Sequence, residues 1–272
     1  MIKCIGTYTR RYTLYFRITS SGHSYKGTDV ASYSRLCYNA SLPTTSTPYI
    51  NQRVQMISTN PNPSQELANL TDTVKSTNTI TGHELSMMLG GMSVNRCDDL
   101  GVKKMLEVLG DKLEMCEDEV NIKMCMTGLE NIGSSSSESQ RLLSLLAKRL
   151  CDVPTLSPLA LADILYSMRN MRSEDAGVLS LVRELDRLVR VCSNQMSTAV
   201  VVRCLQGLSG LSSVHSEVSR LVGALAPRVM SSEVAMGPRD IAMSMSSLRR
   251  KDSGSKDTRL LLSALQKKLR NN

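Results

Sequence analysis

The chain is predicted to be all-α, an α-solenoid of about five stacked helix-turn-helix repeats of roughly 40 residues behind a disordered amino-terminal segment. Three observations predict it: a recurring apolar skeleton, two helical stripes in each copy, and helix-start punctuation between them. The skeleton is clearest at one anchor per copy. Leu89, Leu129, Met168, Leu208 and Leu248 follow one another at intervals of 40, 39, 40 and 40 residues. The copies lie near 81–120, 121–158, 159–197, 198–237 and 238–272.

Each copy opens with a short apolar row that contains its anchor. These rows are Leu85-Leu89-Met92, Cys125-Leu129-Ile132, Ile164-Met168-Met171, Cys204-Leu208-Leu211 and, in the last copy, Ser244-Leu248. A second row follows: Leu106-Leu109-Leu113, Leu143-Leu146-Leu150, Val182-Leu185-Val189, Val222-Leu225-Val229 and Leu262-Leu265-Leu269. Spacings of three, four and seven place such side chains on one face of a helix with about 3.6 residues per turn. A lone hairpin cannot bury two stripes, so neighbouring copies must stack.

The punctuation agrees. Thr81 and Glu84 have the spacing of a capping box, and Ser157-Pro158 and Gly237-Pro238 put a proline in the first helical turn, where a missing N–H costs nothing. Ser/Asp/Glu-rich turns divide the two helices of a copy, as in Ser134 to Glu138, Arg172 to Asp175 and Ser212 to Glu217. There a serine followed by an acid predicts an N-cap and a favourable charge at the start of the second helix. Gly90, Gly91, Gly128, Gly207 and Gly210 fall within first helices, where glycine costs about 1 kcal/mol against alanine. That predicts close approach of stacked helices. Residues 66–80 read as a poorly formed leading helix or linker.

Residues 1–65 differ in kind. They hold seven of the eight tyrosines, the only phenylalanine, and seven basic groups against one acid, a charge of +6. The array up to residue 237 carries −4, and residues 238–272 carry +6, within a total of +8. An arginine-rich, hydroxyl-rich, acid-poor start is the composition of an organellar presequence, drawn to anionic surfaces and to a negative-inside potential. Residues 1–65 are therefore expected to be a disordered targeting segment to a mitochondrion or other organelle. A disordered tail without an address, in a cytoplasmic protein, is the alternative. No run approaches the length of a membrane span.

The chemistry of catalysis is missing from the pattern. None of the eight cysteines forms a Cys-x-x-Cys pair, and Cys116, Cys125, Cys151, Cys192 and Cys204 fall in or beside apolar rows, so a disulfide framework is not expected. The three histidines lack partners at zinc spacing, and there is no glycine-rich phosphate loop or nucleophile set. Binding without catalysis, metal or cofactor is the expectation.

Copy four runs Val201-Val202-Arg203-Cys204-Leu205-Gln206-Gly207-Leu208-Ser209-Gly210-Leu211, then from Ser216 through Leu221 and Leu225 to Val229. Copy three echoes it from Ala162 to Ser173. This pattern resembles the octotricopeptide and heptatricopeptide class of helical repeats over residues 81–272. The tryptophan-containing signature of that class is absent, since the chain has no tryptophan. The resemblance implies an organellar, non-enzymatic protein bound to single-stranded RNA or a ribonucleoprotein in transcript processing, translation or ribosome assembly.

Tandem helical readers of RNA use two or three side chains per repeat. Positions two before and two after the anchor point away from the apolar stripe, which selects Thr127, Asn131, Tyr166, Asn170 and Gln206, flanked by Arg169, Arg172 and Arg203. Amide and hydroxyl groups suit base edges and arginine suits phosphate. The run Arg249-Arg250-Lys251 is a further candidate for the RNA backbone. A solenoid whose surface holds a partner protein, with no RNA contact, is the alternative, and the mildly acidic centre favours it.

Overall fold

A computed structural model describes residues 63–77, 79–92, 100–232 and 236–270. Eleven helices and no strand occur among the described residues. They are α1 (Pro63–Ser76), α2 (Gly82–Gly91), α3 (Leu100–Met115), α4 (Ile122–Ile132), α5 (Ser137–Cys151), α6 (Pro158–Ser167), α7 (Ala176–Val191), α8 (Thr198–Gly207), α9 (Ser216–Ser231), α10 (Pro238–Ser247) and α11 (Lys256–Arg270). The organellar targeting reading of residues 1–65 falls almost wholly outside the described residues.

The helices form two layers. In the first, α2, α4, α6, α8 and α10 pack in succession; in the second, α1, α3, α5, α7, α9 and α11 do the same. Each hairpin from α2–α3 to α10–α11 is one copy of the repeat. The two apolar rows meet between the layers as one continuous core, with all five anchors buried. The fold is a helical solenoid.

One element corrects the sequence reading. The segment expected as a poorly formed helix or linker is α1, a full helix that buries Leu67, Leu70 and Val74 against α3. It is the second helix of an additional half unit, and its stripe has the same spacing as the second rows that follow.

Every first-layer helix begins with a local cap. Thr81, Asn121, Ser157 and Ser197 accept hydrogen bonds from the backbone N–H groups of Glu84, Met124, Ala160 and Val200, and Gly237 N–H donates to Asp240. In the second layer the predicted serine cap forms only at α5, where Ser136 accepts from Ser139 N–H. Asp175 and His215 precede α7 and α9 without a side-chain cap bond. The predicted close approach is present. A Cβ on Gly128 would overlap the Leu89 carbonyl, and one on Gly207 would overlap the Leu165 carbonyl. Buried Ser167 and Ser247 stand at the same place, directly before the anchor, in copies three and five.

Two hydrogen-bond ladders tie successive copies, the first of them running from copy two to copy five among the described residues. In the turn between the helices of a copy, Ser134, Ser173 and Ser213 accept from the backbone N–H groups of Arg172, Ser212 and Asp252 one copy later. At the other end of the second layer, a base near the close of each helix reaches back to carbonyls at the end of the preceding one. Lys112 donates to Thr77 O at 2.6 Å, Arg149 to Leu113 O at 3.0 Å, Arg187 to Leu150 O at 2.7 Å and Val153 O at 3.0 Å, Arg228 to Val189 O at 2.9 Å, and Lys268 to Ser232 O at 2.6 Å. Such carbonyls have no partner within their own helix, and a cation there also meets the negative end of the dipole.

Candidate nucleic-acid interface on the first layer

Stacking places equivalent positions of successive copies side by side, so the outward faces of α4, α6, α8 and α10 form one surface. Thr127 and Asn131 are exposed on α4, Tyr166 is half-buried near the end of α6 with Asn170 exposed just beyond it, and Gln206 is half-buried on α8. The amide of Asn170 donates to Glu130 O at 3.4 Å, and that of Gln206 lies 3.6 Å from Met243 Sδ.

Tyr166 is the centre of the most organised cluster. The guanidinium of Arg169 lies 4.2 Å from its ring centroid and that of Arg203 lies 4.4 Å away, both cation–π contacts. Both arginines are also ion-paired: Arg203 Nε is 2.7 Å from Asp163 Oδ1, and Arg169 pairs with Glu130. Asp163 additionally takes Lys123 Nζ at 2.5 Å. Three cations and two acids thus hold one another around an aromatic ring that is itself part of the first-layer face.

The sequence reading names Tyr166, Arg169 and Arg203 but not Lys123, Glu130 or Asp163. A signal for the two acids was available in the aligned copies. Asp163 and Arg203 occupy the same repeat position, as do Glu130 and Arg169. Opposite charges at equivalent positions of adjacent copies predict an ion pair across the joint.

The remaining candidates separate. Arg172, Arg249 and Arg250 are exposed; Arg250 also donates to Gly210 O at 3.3 Å. Lys251 turns the other way. It is 7 % exposed, and its ammonium donates to Leu208 O at 2.6 Å and to Leu211 O. It fills the core position held by Met92, Ile132, Met171 and Leu211 in earlier copies, and burial pushes its pKa down to about 8. Lys251 is therefore not placed to hold a phosphate. Beside Arg203 and Gln206, a shallow depression of about 390 Å³ is floored by Leu159, Val200, Val202 and Met243, with Asp240 at its edge.

Among the described residues no helix is long and apolar enough to cross a membrane. No known protein family, curated protein or solved structure matches the chain.

Proposed function

We propose that the chain is a non-enzymatic RNA-binding solenoid whose first-layer face takes single-stranded RNA. The observation that carries the reading is the succession of hydrogen-bonding side chains at repeat-equivalent positions, Thr127 and Asn131, Tyr166 and Asn170, then Gln206, with exposed Arg172, Arg249 and Arg250 beside them. Base edges are recognised by such amides and hydroxyls, and both tyrosine rings and guanidinium planes stack on bases. The reading extends to an organelle, mitochondrion first, and to transcript processing, translation or ribosome assembly. It rests there on the basic, acid-poor composition of residues 1–65 and on the repeat pattern.

A second reading, a surface for a protein partner, is favoured by one observation. Glu130 and Asp163 neutralise much of the charge of Lys123, Arg169 and Arg203, the cations nearest the centre of the face. Fluorescence anisotropy of the full chain with a pool of short single-stranded RNAs, at about 50 and about 200 mM salt, separates the two. Saturable binding that weakens with salt, with a shallower salt slope in the triple variant Arg172→Ala, Arg249→Ala, Arg250→Ala, supports RNA. Absence of binding at the lower salt leaves the protein partner. Imaging a tagged full-length chain tests the organellar part, and exclusion from organelles removes it.

A further inference from the structure

Charge is divided unequally between the two layers. The first-layer helices α2, α4, α6, α8 and α10 hold three basic groups against four acids, whereas α5, α7, α9 and α11 of the second hold thirteen against five. The outward face of the second layer concentrates this excess. In α5 it is formed by Arg141, Ser144, Lys148 and Cys151, at spacings of three, four and three that define one side of a helix. The equivalent positions of α7, α9 and α11 add the exposed bases Arg183, Arg190, Arg220 and Lys267, and no acid. On α3 the same positions hold Glu107, Asp111 and Glu114, so the basic stretch begins at α5. Arg141 is tied to that acidic edge, 2.6 Å from Asp111 and 2.5 Å from Glu114.

Four of the five acids on these helices are half-buried beside the face and already engaged. Glu217 pairs with Arg183 at 3.2 Å, Asp186 with Arg190 at 2.9 Å and Glu184 with Arg187 at 3.0 Å, while Asp257 takes the Ser219 hydroxyl at 3.2 Å. No acid among the described residues pairs with Lys148, Arg220 or Lys267. Arg141 and Lys148 are seven residues apart, as are Arg183 and Arg190, which is two turns and about 10 Å. Packed helices stand roughly 8–10 Å apart, so the cations form two rows across the layer. A single strand offers one line of phosphates, whereas a duplex offers two, on either side of a groove. Double-stranded RNA is bound by its shape, phosphates and 2′-hydroxyls, not by its base edges. The four outward positions of α5 to α11 agree, since they hold no amide and no aromatic ring. Arginine, the commoner base there, meets phosphate with two donors at once. Large apolar groups that could enter a lipid surface, Met230 and Leu260, are confined to α9 and α11.

We propose that the outward face of α5, α7, α9 and α11 binds the two phosphate backbones of double-stranded RNA without regard to sequence. Arg141, Arg183 and Arg220 form one row and Lys148, Arg190 and Lys267 the other. This surface belongs to the other layer from the single-stranded RNA face, and the inference goes beyond that reading without depending on it.

The test titrates the full chain with a labelled RNA duplex of about 16 base pairs and, separately, with the pool of short single strands. In the variant Lys148→Gln, Arg220→Gln, Lys267→Gln, duplex affinity is expected to fall about tenfold or more at about 50 mM salt, and the salt slope by about two to three. These side chains are exposed and have no ion pair to lose, so circular dichroism and melting temperature should stay unchanged. Single-strand affinity should shift by no more than about threefold, and the variant Arg172→Ala, Arg249→Ala, Arg250→Ala should keep its affinity for the duplex. A duplex that does not bind, that binds the variant as it binds the parent, or that loses no more affinity than the single strands overturns the proposal. So does variant-sensitive binding of polyglutamate, or of vesicles containing phosphatidylserine, at least as tight as that of the duplex, which assigns the face to an acidic protein or to lipid. Duplex binding without single-strand binding leaves this inference standing and removes the first-layer reading; the reverse result does the opposite.

Discussion

Lys251 sits where four earlier copies place methionine, isoleucine or leucine, and its ammonium is held by carbonyls at and beyond the end of α8. Its pKa in the fold is about 8 against 10.5 for a free lysine. Between those values the unfolded chain binds the proton that the fold does not, so stability rises with pH across that window and is lowest below it. Lys251→Met should therefore raise the melting temperature at pH 7, by up to about 3 kcal/mol of stability. The advantage should shrink as pH climbs from 8 towards 10.5. A constant gap across that range would show that the amine's proton is not responsible. Gly207→Ala brings a Cβ against the backbone of α6 and should destabilise by about 1–3 kcal/mol in urea denaturation. Gly110→Ala is the contrast, because its Cβ would meet the Arg141 side chain at 3.6 Å, ordinary contact, leaving the helix-propensity gain of up to about 1 kcal/mol. The glycines were legible as close approaches because their cost in a helix needs a reason. Lys251 was not, because a lysine beside two arginines reads as a charged surface until the copies are aligned column by column.

At the level of the helix, the rows of leucine and valine made each element legible, and the caps of the first layer followed from local residues. The ends of the second layer did not. Their carbonyls are satisfied from a neighbouring copy, 33 to 39 residues away in the bonds of Arg149, Arg187 and Arg228, and no local pattern reports a bond at that range. Arg187 reaches carbonyls of Leu150, Cys151 and Val153 and also pairs with Glu184. Arg187→Ala should cost about 1–2 kcal/mol, chiefly from part-buried carbonyls left without a charged donor. Arg187→Lys should recover part of that, since a single ammonium cannot span the same three acceptors as a planar guanidinium. Equal stability of both variants and the parent would mean that water serves these carbonyls as well. The half unit α1 was less legible for a related reason. Its row of Leu67, Leu70 and Val74 has the spacing of the second rows but stands ahead of the first anchor, and its burial comes from packing against α3.

Across the whole molecule, a stack in which each copy touches only its neighbours is expected to lose structure from its ends. The last copy is the weaker end among the described residues, with a lysine in its core and Met245 and Leu269 open. Hydrogen exchange should find the amides of α10 and α11 least protected and those of α5 to α8 most protected. Uniform protection would instead mean that the array opens as one unit. The candidate interface was only partly legible at this scale. The outward polar positions follow from helical geometry, but the pairing of Asp163 and Glu130 with arginines of the following copy depends on stacking.

The serine ladder carries a consequence for how such a chain can lengthen or shorten. Ser134 receives its N–H from Arg172, and Ser173 receives the equivalent one from Ser212. Excising everything from Arg172 to Leu211 would bring Ser212 to the place of Arg172, leaving every donor and acceptor matched. Loss of a single residue in the same turn would shift the register and strand them all. Change by whole units is thus written into the spacing of one hydroxyl, and point deletions are what the architecture resists.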